Sequence, residues 1–474
     1  MKKILGIFIA VAIAFFLGML AERKLNRAIA HLHAYPGYTA EVVAFERGWF
    51  SSQAQLSIGM DLPQEFFAAM ESPAFGMSLP LAITLQQGPV FFNEGLGLGW
   101  YRWQAVPANN KTGQSEPSSP LFTHRGITSL SGHTRFTDNV SAFSKTINDE
   151  NGVVDFGGYH GLGIIGSSGR MSYVGDIESF SFSEGDKAIN LRSFNVKTDA
   201  DLAQMDWELF VYPGEFALSL AELNAAINTG AQLQEIKLQT LTMTSSMKVP
   251  ANANWMSMDL QTAIASLTVN DWYLRDLIWD MAFDNFSMDF YRAYHHANIE
   301  MFDAMYTADT DTPPALNFGK HFTPEVMQAF IENGPAFRID TLSATLPQGE
   351  FAVSAGLNLK ADTPVPALPS NPLWLIGAIQ AQASIEVDQT LAQYFARLST
   401  EFQVRAAMAE SPDVTEEQIQ QMLDTQVTTT LDMLIQQGLV ISQGEVLTSQ
   451  LQYNGGEFTV NGNPIPLGAM LGGM

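Results

Sequence analysis

The residues best equipped for chemistry in this chain are His295, His296 and Glu300. His296 and Glu300 fall one helical turn apart, so both could reach a zinc ion from one helix face. A zinc site needs a third protein ligand, and the sequence nominates none, so the pair reads as solvated or hydrogen-bonded. Gly161-Leu162-Gly163-Ile164-Ile165-Gly166 has the letters of a dinucleotide-binding turn. It leads, however, into Met171-Ser172-Tyr173-Val174, which alternates like a strand and offers no helix N-terminus to a pyrophosphate. Asp309 and Asp311 begin like a calcium loop that Pro313-Pro314 breaks. No Gly-x-Ser-x-Gly occurs and there are no cysteines, which excludes a thiol nucleophile, a disulfide and a lipoprotein anchor. No catalytic, cofactor or metal residue is nominated, and the chain is expected not to be an enzyme. Convergence of His160, His295 and His296 in one pocket would reopen the enzymatic reading.

The elements that would position any site are mostly strands. Ala54, Leu56, Ile58 and Met60 alternate with Gln53, Gln55, Ser57 and Gly59, and Leu79, Leu81, Ile83 and Leu85 repeat the period before Gln87-Gly88-Pro89. Similar pieces recur through Val269. Helical spacing appears over 284–307, over 324–332, and again over 388–410 and 415–437, where Thr415 precedes Glu416 and Glu417 at the positive end of the helix dipole. The expected fold class is α+β: a long, mostly antiparallel, curved β-sheet with several amphipathic helices, after one N-terminal transmembrane helix.

That last expectation rests on the unbroken apolar run Ile4–Ala21. As a helix it would be roughly 27 Å long at about 1.5 Å per residue, close to the thickness of a bilayer core. It ends without the small-residue pattern of a signal-peptidase site, so retention as an anchor is expected over cleavage. Gly6, Ala10, Ala14 and Gly18 recur every fourth residue, as in packing faces between membrane helices or simply as in helices rich in small residues. The expected organisation is a cytoplasmic N-terminus (1–3), a signal-anchor (4–21), a juxtamembrane helix and link (22–37), a sheet region (38–283), helices with a hairpin (284–361), a proline-rich link (362–372), and a helical pair with closing strands (373–474). The net charge is -25, from 49 acidic against 24 basic residues. Such a surface repels phosphate backbones, so no nucleic-acid partner is expected.

Arg47-Gly48-Trp49-Phe50-Ser51-Ser52 before an alternating strand, then Gln87-Gly88-Pro89, and the closing run Tyr453-Asn454-Gly455-Gly456-Glu457-Phe458-Thr459-Val460-Asn461-Gly462, resemble the YdgA-like family of bacterial envelope proteins. The resemblance implies a single-pass inner-membrane protein with its bulk in the periplasm, and brings no activity or catalytic residue with it. Read from the residues, Arg47 to Ser52 form a structural corner in which Trp49 and Phe50 bury at the sheet edge and Ser51 and Ser52 satisfy turn amides; a partner-docking site is the competing reading. The function expected on these grounds is to shelter or carry a lipid or other hydrophobic client on the apolar sheet face, with a scaffold that binds envelope proteins as the alternative. Whether that face is an open groove or a packed core is not legible in the sequence.

Overall fold

The computed structural model describes residues 2–33, 37–62, 75–91, 97–108, 121–147, 152–209, 211–228, 233–251, 253–307, 318–366, 372–408 and 415–466, without the side chains of residues 2–13, 15, 31, 61–62, 75–77, 228, 233, 303, 305–307, 318–319, 372–373, 402–403 and 405–408. The chain divides into two compact units: Met1–Gly185 with Leu191–Phe216 and His295–Asn317, and Asp186–Asn190 with Ala217–Tyr294 and Phe318–Met474.

The first unit opens with helix α1 (Lys2–His33), followed by β1 (Tyr38–Arg47), β2 (Ser51–Leu62), β3 (Phe75–Gln87), the short pair β4 (Val90–Phe91) and β5 (Gly97–Leu98), then β6 (Tyr101–Pro107), β7 (Phe122–Thr128), β8 (Thr134–Val140), β9 (Phe143–Ile147), β10 (Gly152–Phe156), β11 (Tyr159–Ile165) and β12 (Arg170–Glu184). From β1 to β8, leaving aside the β4–β5 pair, each strand lies antiparallel beside the next. Strands β8 and β9 then face β11 and β10 in turn, and both of these face β12. Alternation decides the two faces: Ser52, Ala54 and Leu56 of β2 are buried while Gln53 and Gln55 are exposed. On the buried face Ile29 of α1 meets Ala40 and Leu56, with Leu25, Leu32, Val42, Ile58, Leu81 and Ile83 around them.

Strands β13 (Lys187–Asp201) and β14 (Gly214–Asn228) come next. The second unit then continues with β15 (Leu233–Lys248), β16 (Trp255–Val269), β17 (Trp272–Ser287), helices α2 (Met288–Thr307), α3 (Phe318–His321) and α4 (Pro324–Glu332), β18 (Ala336–Leu346), β19 (Gly349–Leu359), β20 (Ile379–Asp388), α5 (Gln389–Met408), α6 (Glu416–Gln436), and β21 (Ile441–Gln443), β22 (Val446–Asn454), β23 (Glu457–Val460) and β24 (Asn463–Ile465). Its sheet runs β15-β16-β17-β18-β19-β20-β22-β23-β24, antiparallel throughout. Phe286, Phe290, Phe322 and Phe330 interlock at one end, with Phe290 and Phe330 stacked at 4.2 Å. Leu391 of α5 plugs the sheet between Ala344 and Leu346. Helix α6 opens with a reciprocal capping box in which Thr415 and Gln418 satisfy each other's backbone amides.

The expected α+β class with a sheet placed after a transmembrane helix is corrected. Sheet dominates the chain, and among the described residues no helix is long and apolar enough to cross a membrane. The physical reason lies in where the second half of α1 goes. Ala14 is fully buried, the Leu17 carbonyl accepts a hydrogen bond from the Tyr101 hydroxyl at 3.2 Å, and Glu22 pairs with Arg47 of β1. One face of this stretch rests on the chain's own sheet, while Phe16 and Leu20 stay exposed. An apolar run reads alike whether lipid or a sheet face receives it.

Candidate functional site

The corner residues read from the sequence converge on the seat of α1. Strand β1 ends at Arg47, and the chain reverses through a turn in which the Gly48 amide donates to the Ser51 carbonyl at 2.9 Å. The register then sets Arg47 opposite Ser52, and Ser52 opposite Leu85 of β3. Gln87, two residues further along β3, is buried and donates from Nε2 to the Ser52 hydroxyl, while its own backbone amide donates to the Phe50 carbonyl at 2.9 Å. Gly18 of α1 rests on this pair: a Cβ there would lie 2.9 Å from Gln87 Nε2, so any larger residue would have to displace the Gln87 side chain. The Gly88 amide reaches the Trp100 carbonyl at 2.8 Å, and the Gly88–Pro89 bond is cis. Of the four small residues on one stripe of α1, Ala14 and Gly18 are buried, and the side chains of Gly6 and Ala10 lie outside the described residues.

Two expectations about this corner differ from what is seen. Trp49 and Phe50 are 61% and 49% exposed instead of buried at the sheet edge, because the turn projects them past the last paired residues. Among the described residues the Ser52 hydroxyl caps no turn amide and serves the buried Gln87 amide instead. The Oε1 of Gln87 is buried with no hydrogen-bond partner among the described residues, which leaves an unused acceptor beneath the helix.

Beside this polar seat lies a cavity of about 350 Å³, bounded by Ala21, Lys24, Leu25 and Ala28 of α1 and by Phe45, Ser52, Ala54, Ile83, Leu85 and Trp103 of the sheet. Apart from Lys24 and Ser52 its wall is apolar. Trp103 also begins a row of rings that crosses the sheet through His124, Phe136 and Tyr173, with centroids 6.0, 5.7 and 5.9 Å apart. The Phe136 ring lies directly over Gly163. The Gly161 to Gly166 run is therefore part of β11 and its turn, and its glycine at 163 makes room for a ring on the neighbouring strand.

Polar groups are threaded through the row. His124 pairs with Asp138, and the Tyr159 and Tyr173 hydroxyls bond each other. Burial, then the bond to Tyr159 and the Asp138 charge, push the Tyr173 hydroxyl well above its ordinary value. It stays protonated at neutral pH and is not placed to act as a base.

The histidines singled out from the sequence do not form one site. His160 of β11 bonds Asn139 at 2.6 Å, whereas His296 of α2 bonds Glu208 at 2.7 Å. Among the described residues no three metal-ligating side chains come together. Asp309 and Asp311 lie outside the described residues. Burial first, then the neighbouring His296, hold His295 below its ordinary value of 6.5, against the pull of Glu208 and Asp206. A histidine whose pKa is lowered by folding is protonated more readily in the unfolded chain, so it costs stability as pH falls from about 6.5 through its folded value. His295→Gln is accordingly expected to lose less stability than the parent between pH 7 and pH 5 in urea unfolding; parallel curves would remove the assignment.

A family model described as "Bacterial protein of unknown function (DUF945)" matches residues 1–468. No curated protein and no solved structure matches the chain.

Proposed function

The chain belongs to the bacterial family DUF945, and on that premise we propose that it is a non-enzymatic holder of a hydrophobic client at the cell envelope. The observation that carries this reading is the cavity under α1. Its volume of about 350 Å³ sits at the lower end of the range of small-molecule sites, roughly 300–1,000 Å³, so it suits one acyl chain better than a diacyl lipid. Lys24 on the wall offers a cation to an acidic head group, and the Ser52 hydroxyl lies on the same wall. The Arg47–Ser52 corner and the 453–462 ending support placing the chain near the YdgA-like group within the family, and the envelope location is part of the same proposal.

Ala54 lies on the cavity floor and is buried. Ala54→Leu should fill the space at a stability cost of about 1–3 kcal/mol, small enough for circular dichroism to confirm a folded protein. The full chain is expected to bind a fluorescent long-chain fatty acid saturably and to carry a lipid detectable by mass spectrometry of an organic extract. The variant should bind at least tenfold more weakly. Equal binding in both, or no saturable binding in a monodisperse parent, would defeat the client reading. It would favour a protein partner docked on the exposed Trp49 and Phe50.

A further inference from the structure

We infer that the second unit's sheet carries, on the face turned away from α5, a binding site for a neutral oligosaccharide. This goes beyond the client reading and does not depend on it, since the cavity under α1 belongs to the first unit.

Alternation separates the two faces of β19, β20 and β22. Phe351 and Val387 turn towards Leu391 of α5, and the residues between them form the opposite face, where register sets them in rows. In the first row Asn358 stands beside Gln380 and Gln380 beside Asn454. Their carboxamides form a ladder: Asn358 Nδ2 donates to Gln380 Oε1 at 2.8 Å, and Gln380 Nε2 to Asn454 Oδ1 at 3.3 Å. A carbonyl at the Asn358 end and an amino group at the Asn454 end are left for a ligand, already oriented. The second row has Gly356 beside Gln382 and Gln452, so the floor is open where two further carboxamides stand. Among the described residues these two make no hydrogen bond from their side chains. Ser354, Ser384 and Gln450 make the third row. The rows line a hollow of about 840 Å³, in the upper part of the range of small-molecule sites, roughly 300–1,000 Å³. Three rows on three strands cover roughly 10 by 14 Å, which suits a short oligosaccharide better than a single ring.

The chemistry of the lining selects the class of ligand. Its one charged pair is internal: Arg338 donates to Asp340 at 2.6 Å and to Asp284 at 2.9 Å. Further along the same face Glu350 and Glu386 return, so the uncharged patch is bounded. In a chain with 49 acidic residues, this surface offers hydrogen bonds without net charge. A carboxamide donates and accepts, as a sugar hydroxyl does, so the two can answer each other in either sense. An anionic ligand finds no unpaired cation among the described lining residues. An extended peptide finds no pockets for its alternate side chains, because Leu357 and Tyr453 project from the other face.

The full chain should be titrated by calorimetry with maltoheptaose, cellohexaose and chitohexaose, each to millimolar concentration, at low and at high salt. Saturable binding of at least one is expected, with an affinity that salt leaves unchanged because no net charge is engaged. Gln382→Ala/Gln452→Ala should weaken it at least tenfold. Gly356→Phe should abolish it: the nearest atoms to a Cβ at this position belong to the Gln382 side chain, at 3.7 Å, so the ring has room to rise into the hollow. Gln382 and Gln452 are exposed, and circular dichroism would check that each variant keeps the fold. Binding of none of the three sugars overturns the inference, as does binding that both variants leave unchanged. Binding of a neutral peptide of serine and glutamine in place of the sugars, lost in the same variants, also overturns it and gives the hollow to a peptide.

Discussion

Leu391→Ala is expected to cost about 2–5 kcal/mol, and to fall in the upper half of that range. Leu391 is fully buried at the start of α5, in a cluster with Ala344 and Leu346 that is flanked by Trp272, Leu274, Leu277, Phe351, Val387 and Tyr394. A truncated side chain leaves a cavity whose cost depends on whether the walls can close over it. Here they cannot readily do so. The floor is a paired sheet, with Ala344 locked opposite Phe351 and Phe351 opposite Val387, and the first turn of the helix is tied down on two sides. The Gln389 amide donates to the Glu445 carbonyl at 2.8 Å, and the Thr390 hydroxyl to the Gln348 carbonyl. Total stability of domains is about 5–15 kcal/mol, so the loss should be plain in urea unfolding. Leu398, on the same helix but about half exposed, is the control, and Leu398→Ala should change stability by about 0.5 kcal/mol or less. If the two variants unfold at the same denaturant concentration, Leu391 is not the plug described.

How far such features are legible in the sequence depends on the range over which they act. The alternation of Ala54, Leu56 and Ile58, and that of Leu81, Ile83 and Leu85, is written within single strands and can be read directly. Thr415 at the head of α6 is equally local, because a capping box spans four residues. The destination of α1 is different: hydropathy counts apolar atoms and carries no information about what receives them, so Ala14 and Gly18 looked suited to lipid or another helix and instead lie buried in their own unit. At the corner, Trp49 and Phe50 looked like edge-burying rings because aromatic residues usually bury, yet the geometry of the turn decides their exposure. The cavity beneath α1 is assembled from four strands and a helix, with no local signature.

Gly163→Ala should destabilise the first unit by about 1–3 kcal/mol, the usual cost of forcing extra atoms into a packed site. A Cβ at this position would sit 2.0–2.4 Å from three atoms of the Phe136 ring, well inside any contact that real atoms make, so the ring must leave its place. It is not free to do so cheaply, because it stacks on Tyr173 at 5.9 Å and leans on His124 at 5.7 Å. Near-ultraviolet circular dichroism should therefore change along with stability, since the disturbance travels along a row of rings. The decisive comparison is a double-mutant cycle. If the glycine exists to accommodate the ring, Phe136→Leu with Gly163→Ala should cost less than the two single losses added together, because the smaller side chain removes the clash that the alanine creates. Gly377→Ala, where nothing lies within 4 Å of the added carbon, gives the baseline for an unobstructed glycine. Strict additivity between positions 136 and 163 would mean that the glycine has some other purpose, and the ring-over-glycine account of this Gly-x-Gly run would have to be given up.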